Sequence, residues 1–98
     1  MNARLTLAAE ADVREINVWY LEQGEGLSQA FKNALDLCLA RVEANPLASQ
    51  QVHGSVRRAL LRRFPYCVYY LATGTEIVVI GVFHGHRDPL VWRRRHDA

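Results

Sequence analysis

The first half of the chain contains two stretches in which apolar residues recur at helical spacing. From about residue 8 to residue 23, apolar side chains return every three to five positions, and acidic residues lie between them. This is the pattern of an amphipathic helix with acids near the positive end of its dipole. A second stripe runs from residue 27 to residue 42, and Asn45-Pro46 ends it. Gly24-Glu25-Gly26 separates the two stretches and predicts an antiparallel helical hairpin. The positions expected in the core are Ala8, Ala11, Ile16, Trp19, Tyr20, Leu27, Phe31, Leu35, Cys38, Leu39 and Val42.

The remaining pattern is typical of β-strands. We expect strands at 4–7, 56–64, 67–71 and 76–83, a loop over 46–55 and a turn at 72–75. The last strand is almost continuous in Ile and Val, which predicts burial on both faces and a neighbour on each side. The order β-α-α-β-β-β indicates an α+β fold, with the helical hairpin packed on one face of a small, mainly antiparallel sheet. The opposite face is then more exposed, and residues 89–98 form a short helical turn attached through Trp92.

Composition narrows the class of protein. The 98 residues, half of them hydrophobic, suit one globular domain over 1–98. No apolar run approaches the ~20 residues of a membrane helix, and residues 1–4 lack the apolar stretch of a signal peptide. We therefore expect a cytoplasmic protein with no membrane partner. Cys38 and Cys67 have no C-x-x-C spacing and stand in apolar segments, which favours reduced core thiols.

Charge is distributed unevenly. Residues 1–56 carry four Lys+Arg against seven Asp+Glu, a net −3, whereas residues 57–98 carry eight Arg against three acids, a net +5. The second half uses arginine alone, the side chain suited to forked hydrogen bonds with carboxylate or phosphate. This asymmetry predicts an acidic partner, either nucleic acid or an acidic protein segment. Within the basic second half, we expect residues 93–95 to form a solvated tail.

The apolar strand at 76–83 ends abruptly in His84-Gly85-His86-Arg87-Asp88-Pro89. Such an ending suits an active site, a binding surface or a polar network that fastens the end of the chain. His84 and His86 share one face of an extended chain, but two ligands fall short of the three or four of a stable metal site. We therefore predict no metal and no cofactor.

A combination of motifs resembles the toxins of the RelE/ParE superfamily from bacterial type II toxin–antitoxin systems. It comprises Arg62-Arg63-Phe64-Pro65-Tyr66 with Tyr69-Tyr70, followed by the apolar strand, the His-x-x-Arg-Asp-Pro ending and Trp92. The first half agrees, through Ala11-Asp12-Val13-Arg14-Glu15-Ile16 with Trp19-Tyr20. The resemblance covers nearly the whole chain and is strongest to the ParE, or plasmid stabilisation, branch.

The resemblance implies the same β-α-α-β-β-β fold and a cognate antitoxin that blocks the toxin in a hetero-oligomer. It implies inhibition of DNA gyrase for ParE-like members, and cleavage of messenger RNA on the ribosome for RelE-like members. RNA cleavage needs groups that move protons and stabilise phosphorane charge. The RelE-type set is incomplete here, because Lys32 lies on the helix pair and no tyrosine follows Tyr70. We therefore expect a ParE-like gyrase inhibitor with a ParD-like antitoxin that has an acidic or amphipathic C-terminal segment.

The candidate residues follow from these alternatives. A surface for the target or the antitoxin would use Arg58, Arg62, Tyr66, Arg87, Trp92 and Arg93. By alternation, Arg58 and Arg62 should share the open face of the sheet. A nuclease would instead use His84, His86, Arg87 and Arg58. A third alternative is a member that binds its antitoxin but has lost toxicity.

Overall fold

The computed structural model describes residues 1–85, the backbone of 90–97 and the side chains of 93–96. The elements, in chain order, are β1 (Ala3–Leu5), α1 (Leu7–Gln23), α2 (Leu27–Ala44), β2 (Gln50–His53), β3 (Val56–Leu60), β4 (Tyr66–Ala72), β5 (Ile77–His84) and α3 (Leu90–Asp97). The strands form one sheet in the order β1-β5-β4-β3-β2. The β1–β5 pair is parallel, and the other pairs are antiparallel. The predicted α+β class, with a strand, two helices and a mainly antiparallel sheet, is confirmed.

Local signals explain the limits of the helical hairpin. Thr6 caps α1, because its Oγ1 accepts a hydrogen bond of 3.1 Å from the backbone N of Ala9, which satisfies one of the unpaired donors of the first turn. Gly26 precedes α2 at a φ of 80°. This left-handed conformation favours glycine, so the position supports the sharp reversal between the helices. At the other end, α2 stops at Ala44, directly before Asn45-Pro46, as predicted.

The helices cover one face of the sheet with the larger part of the core. Tyr20 of α1 stacks on Phe31 of α2, with ring centroids 5.7 Å apart, and meets the edge of Phe64 at 5.3 Å. Beneath these rings, α2 contributes its predicted stripe, and the strands contribute Ile and Val. The buried members of this helix-side cluster are Ala9, Ile16, Tyr20, Phe31, Leu35, Cys38, Val42, Leu61, Val68, Tyr70, Ile77, Val79 and Val82.

The buried stripe of α1 includes the predicted Ile16 and Tyr20 but differs from the prediction at other positions. Ala9 is buried where Ala8 and Ala11 were expected. Trp19 was expected in the core but is 51% exposed. Leu27, at the start of α2, is also exposed. The predictions for α1 were wrong because its apolar residues surround more of the helix than the stripe that meets the sheet.

The opposite face carries a smaller cluster of five buried residues: Val56, Cys67, Tyr69, Ile80 and Phe83. Tyr69 and Tyr70 are both buried, and they lie on opposite faces, as alternation predicted. The β4–β5 register shifts between these two tyrosines. Helix α3 contacts β5, and the guanidinium of Arg95 lies 4.5 Å from the centroid of the Phe83 ring.

One strand was missed. Residues 46–55 were predicted as a loop, but β2 pairs antiparallel with β3, and His53 lies opposite Val56. The two-residue connection is Gly54-Ser55, with Gly54 at a φ of 54°. Gly-Ser between two short runs is a hairpin signal. It was obscured because β2 is a polar edge strand, which needs little apolar sequence.

Candidate partner-binding surfaces

The edge of β5 is only partly covered by another strand. β1 ends at Leu5, which pairs with Val79. Beyond that point, two side chains bind the backbone of β5: Asp12 Oδ2 accepts a hydrogen bond of 3.0 Å from Val82 N, and Arg95 Nη1 donates one of 3.2 Å to the carbonyl oxygen of Ile80. Asp12 and Arg95 therefore occupy the edge where a longer β1 would have continued the ladder.

Asp12 and Arg95 also bind each other. Arg95 Nη2 donates to Asp12 Oδ1 over 2.9 Å, and Arg95 Nη1 donates to Asp12 Oδ2. Asp12 is 9% exposed, so this carboxylate has the charged partner and hydrogen bonds that a buried acid requires. The pair joins α1 to α3. The prediction that 93–95 is a solvated tail is therefore wrong for Arg95.

A groove of about 320 Å³ runs between α1 and the end of β5. Its lining includes Glu15 and the paired Asp12 and Arg95, together with the half-exposed ring of Trp19. Tyr66 and His84 form its far side, with ring centroids 5.7 Å apart. We call this surface the α1–β5 groove. Tyr66 was predicted as a binding residue, and the structure brings it together with His84.

Arg58 lies on the other side of the sheet. It is exposed and pairs across the strands with Tyr69, whose side chain belongs to the smaller cluster. A depression of about 450 Å³ beside Arg58 includes Cys67 and Leu60 in its lining. Burial raises the pKa of the Cys67 thiol, and the positive charge of Arg58 acts in the opposite direction. Burial likewise raises the pKa of Tyr69, and a hydrogen bond with Arg58 opposes that rise.

Arg58 and Arg62 were predicted to share one face of the sheet, but the structure places Arg62 elsewhere. β3 ends at Leu60 rather than continuing to residue 64, so alternation stops before Arg62. Arg63, the next residue, has a φ of 71°, which turns the chain out of the strand direction. Arg62 consequently lies with Arg63 and Arg41 beside the outer surface of α2.

The other candidate residues are distributed as follows. Arg93 is half-buried on α3. His86 and Arg87 lie outside the described residues, and so does the side chain of Trp92. Within the nuclease set, the two described members lie on opposite faces of the sheet. His84 lies opposite Tyr66 on the neighbouring strand, on the helix side, whereas Arg58 lies opposite Tyr69, on the other side. The structure therefore does not bring these two together.

The described part of the chain contains neither a cluster of metal ligands nor a membrane-spanning helix. In residues 1–85 and 93–96, no three side chains of His, Cys, Asp or Glu are grouped so that they could hold a metal ion. Cys38 and Cys67 are both buried and free. None of the described helices is long and apolar enough to cross a membrane.

Asp12 and Arg95 are the residues that sequence reasoning missed. Asp12 was interpreted through the helix dipole, a local explanation that was sufficient in itself. Its partner lies 83 positions away, beyond the range of any periodicity. The available signal was that the helical stripe of buried positions Ala9, Ile16 and Tyr20 passes through Asp12; an acid on an apolar stripe needs a partner.

Comparison with known structures supports the class of protein that the fold defines. A chain of a structure described as the chromosomal ParDE toxin–antitoxin system from P. aeruginosa matches with a TM-score of 0.64 and 26% identity, over 86% of this chain and 95% of that chain. The search of curated protein sequences gave no significant match. The fold is thus that of the toxins of the RelE/ParE superfamily.

The profile of the ParE toxin of type II toxin–antitoxin systems, parDE, matches residues 3–89. The chain belongs to this ParE toxin family. The match spans α1, α2 and all five strands, and it includes Trp19, Tyr66 and His84 of the α1–β5 groove.

Proposed function

We propose that this protein is a cytoplasmic toxin that inhibits DNA gyrase by binding it, and that a cognate ParD-like antitoxin neutralises it in a hetero-oligomer. The observation that carries the proposal is the family match over residues 3–89. The inhibition is a binding event, without a chemical step by the toxin. The separation of Arg58 and His84 on the two faces of the sheet supports this reading over nuclease chemistry, because proton transfer and charge stabilisation must act on one phosphate.

The α1–β5 groove suits an amphipathic segment of the antitoxin. Trp19 offers a large half-exposed ring at the groove, and aromatic anchors of this kind contribute strongly to interfaces. Tyr66 and His84 add polar atoms on the far side. An apolar side chain of the antitoxin would rest against Trp19, and its backbone would follow the direction of β5.

A supercoiling assay with purified gyrase tests the target. Increasing toxin should abolish supercoiling, and addition of the antitoxin should restore it. If gyrase stays fully active at large toxin excess while expression of the toxin still stops growth, the gyrase proposal is wrong.

Two variants test the antitoxin contact and the nuclease alternative. Trp19→Ala should weaken antitoxin binding by roughly 30-fold or more, as expected for an interface hot spot, whereas Leu47→Ala, at a 67% exposed position away from the groove, should leave it unchanged. The double variant His84→Ala/His86→Ala addresses the endoribonuclease alternative. Growth arrest should persist in it; loss of arrest with intact folding would favour messenger RNA cleavage.

A further inference from the structure

The outer surface of α2 carries a second groove, separate from the α1–β5 groove. It has a volume of about 230 Å³ and lies between α2 and the segment that joins β3 to β4. Its lining combines apolar residues, among them Ala34, Leu37 and Phe64, which we call its floor, with three arginines: Arg41, Arg62 and Arg63. We propose that this α2 groove binds an acidic segment of a partner protein, with one aliphatic side chain on the floor and carboxylates on the arginines.

Within the part of the chain that the structure describes, the charges of the groove are uncompensated, and no acidic residue lines it. In residues 1–85 and 93–96, arginine–carboxylate pairs join Arg4 to Glu76 and Arg95 to Asp12, and the arginines of the α2 groove form none. Arg41 is held in position by a hydrogen bond of 3.1 Å from its Nη2 to the carbonyl oxygen of Leu60. Three guanidinium groups around one depression favour carboxylates, which they can bind through forked hydrogen bonds.

The backbone at the groove is strained. Arg63 adopts a φ of 71°, in the left-handed region that costs a residue with a side chain about 1–3 kcal/mol. Glycine or asparagine would meet this geometry at lower cost. An arginine in this position therefore indicates that its side chain has a use at the surface.

The floor of the groove favours a protein segment over nucleic acid. Leu37 is 63% exposed and offers a surface for an aliphatic side chain. Single-stranded nucleic acid binds through aromatic rings on which bases stack, but the Phe64 ring is engaged edge-on with Tyr20 and Phe31, at 5.3 and 5.8 Å between centroids. The groove thus lacks a free stacking ring and has an apolar site of side-chain size.

The α2 groove differs from the α1–β5 groove in the charge of its lining. Among the described residues, the α1–β5 groove is lined by Glu15 and the paired Asp12 and Arg95, whereas the α2 groove is lined by arginines alone among its charged residues. The excess positive charge of the α2 groove therefore favours an acidic segment there. This inference does not rest on the gyrase proposal, because it concerns a separate surface and its test measures binding directly.

NMR titration of the isotopically labelled protein tests the proposal. The probe is a capped peptide Asp-Glu-Leu-Glu-Asp, and the comparison probes are the same peptide with Gln replacing Leu, and a short single-stranded DNA. We expect saturable shifts of the amides of Leu37, Arg62 and Phe64 that weaken with added salt. The Gln peptide should bind at least about tenfold more weakly, since it lacks the aliphatic anchor.

Matched charge reversals complete the test. Arg41→Glu/Arg62→Glu should weaken peptide binding at least about tenfold. Arg14→Glu/Arg94→Glu changes the net charge equally at two exposed positions outside the groove and should leave the affinity within about twofold. The proposal is overturned by the absence of shifts at the groove, by equal loss in both variants, or by DNA binding these amides more tightly than the peptide.

Discussion

The two faces of the sheet are closed in different ways. On the helix side, α1 and α2 cover a broad apolar cluster in which Phe31 and Tyr70 are fully buried. On the other side there are five buried residues, and α3 contacts β5 there, with Arg95 bound to Asp12 and lying over the Phe83 ring. The first closure depends on the apolar area removed from water. On the other side, the described contacts of α3 include the directional contacts of one cation, Arg95, so this side should respond to single charge changes.

Phe31→Ala should produce the largest loss, because it removes a fully buried ring from the helix-side cluster. We expect the free energy of unfolding to fall by about 3–5 kcal/mol, measured by urea denaturation. Leu21→Ala, at a 68% exposed position on α1, is the control and should change it by less than about 0.5 kcal/mol. A similar loss in both variants would mean that the helix-side cluster is not the main source of stability.

Asp12→Ala should produce the next largest loss, lowering the free energy of unfolding by about 2–4 kcal/mol. It leaves the Arg95 charge without its carboxylate and the Val82 amide without its acceptor, and both are costly in a poorly solvated site. The estimate lies below that for a fully buried pair because the Arg95 side chain is 27% exposed.

The matched control is Arg4→Ala, which removes the exposed pair with Glu76 and should cost at most about 1 kcal/mol. A double-mutant cycle of Asp12→Ala and Arg95→Ala should give a favourable coupling energy. Strict additivity of the two losses would show that the pair does not hold α3 to α1.

Gly81→Ala tests how closely Phe83, and Arg95 of α3, pack against β5 at Gly81. A Cβ at Gly81 would lie 2.5 Å from Phe83 Cε2 and 3.0 Å from Arg95 Nη1, so the ring and the guanidinium would have to move. We expect a loss of about 1–3 kcal/mol in thermal unfolding. At Gly74 the same methyl would meet no atom within 4 Å, so Gly74→Ala should be neutral or slightly stabilising. Equal behaviour of the two variants would contradict the close packing at Gly81.

The smallest expected effect is that of Cys67→Ala on the pH dependence of the free energy of unfolding. Burial raises the pKa of Cys67 above its usual value of 9.0, so the folded state keeps this proton when the unfolded state begins to lose it. The contribution is complete below the usual thiol pKa and is lost as pH rises through the folded pKa. Urea denaturation across alkaline pH should show a decline that Cys67→Ala reduces. A slope unchanged by the substitution would assign the decline to other groups, such as Cys38 and Tyr69.

The parts of the fold that the sequence predicted are those with strong local signals. The Ile and Val run of β5, the apolar stripe of α2 and the Asn45-Pro46 stop each indicate one structure, and each is confirmed. β2 lacked such a signal, because Gln50 and Gln51 pair through their backbones on a solvated edge, and backbone pairing leaves little trace in residue type.

The surfaces were harder to predict, for geometric reasons. Tyr66 was identified, but its neighbour Trp19 was assigned to the core because periodicity does not say how wide the buried stripe is. Arg62 was assigned to the wrong surface because β3 ends at Leu60. Side chains alternate between the two faces only while the strand continues, so the alternation cannot be counted past that point. The Asp12–Arg95 pair was missed because it depends on three-dimensional proximity alone.

The long-range contacts of β5 have a consequence for biosynthesis. β1 lies against β5, 74 residues later, and Asp12 meets Arg95, 83 residues later. The contact with Arg95 cannot form until residue 95 has left the ribosome, which takes several seconds or more at ~5–20 residues per second. The helical hairpin can form earlier, but the edge of β5 stays without Arg95 during that interval. The α1–β5 groove, which Asp12 and Arg95 both line, therefore reaches its final shape late in synthesis.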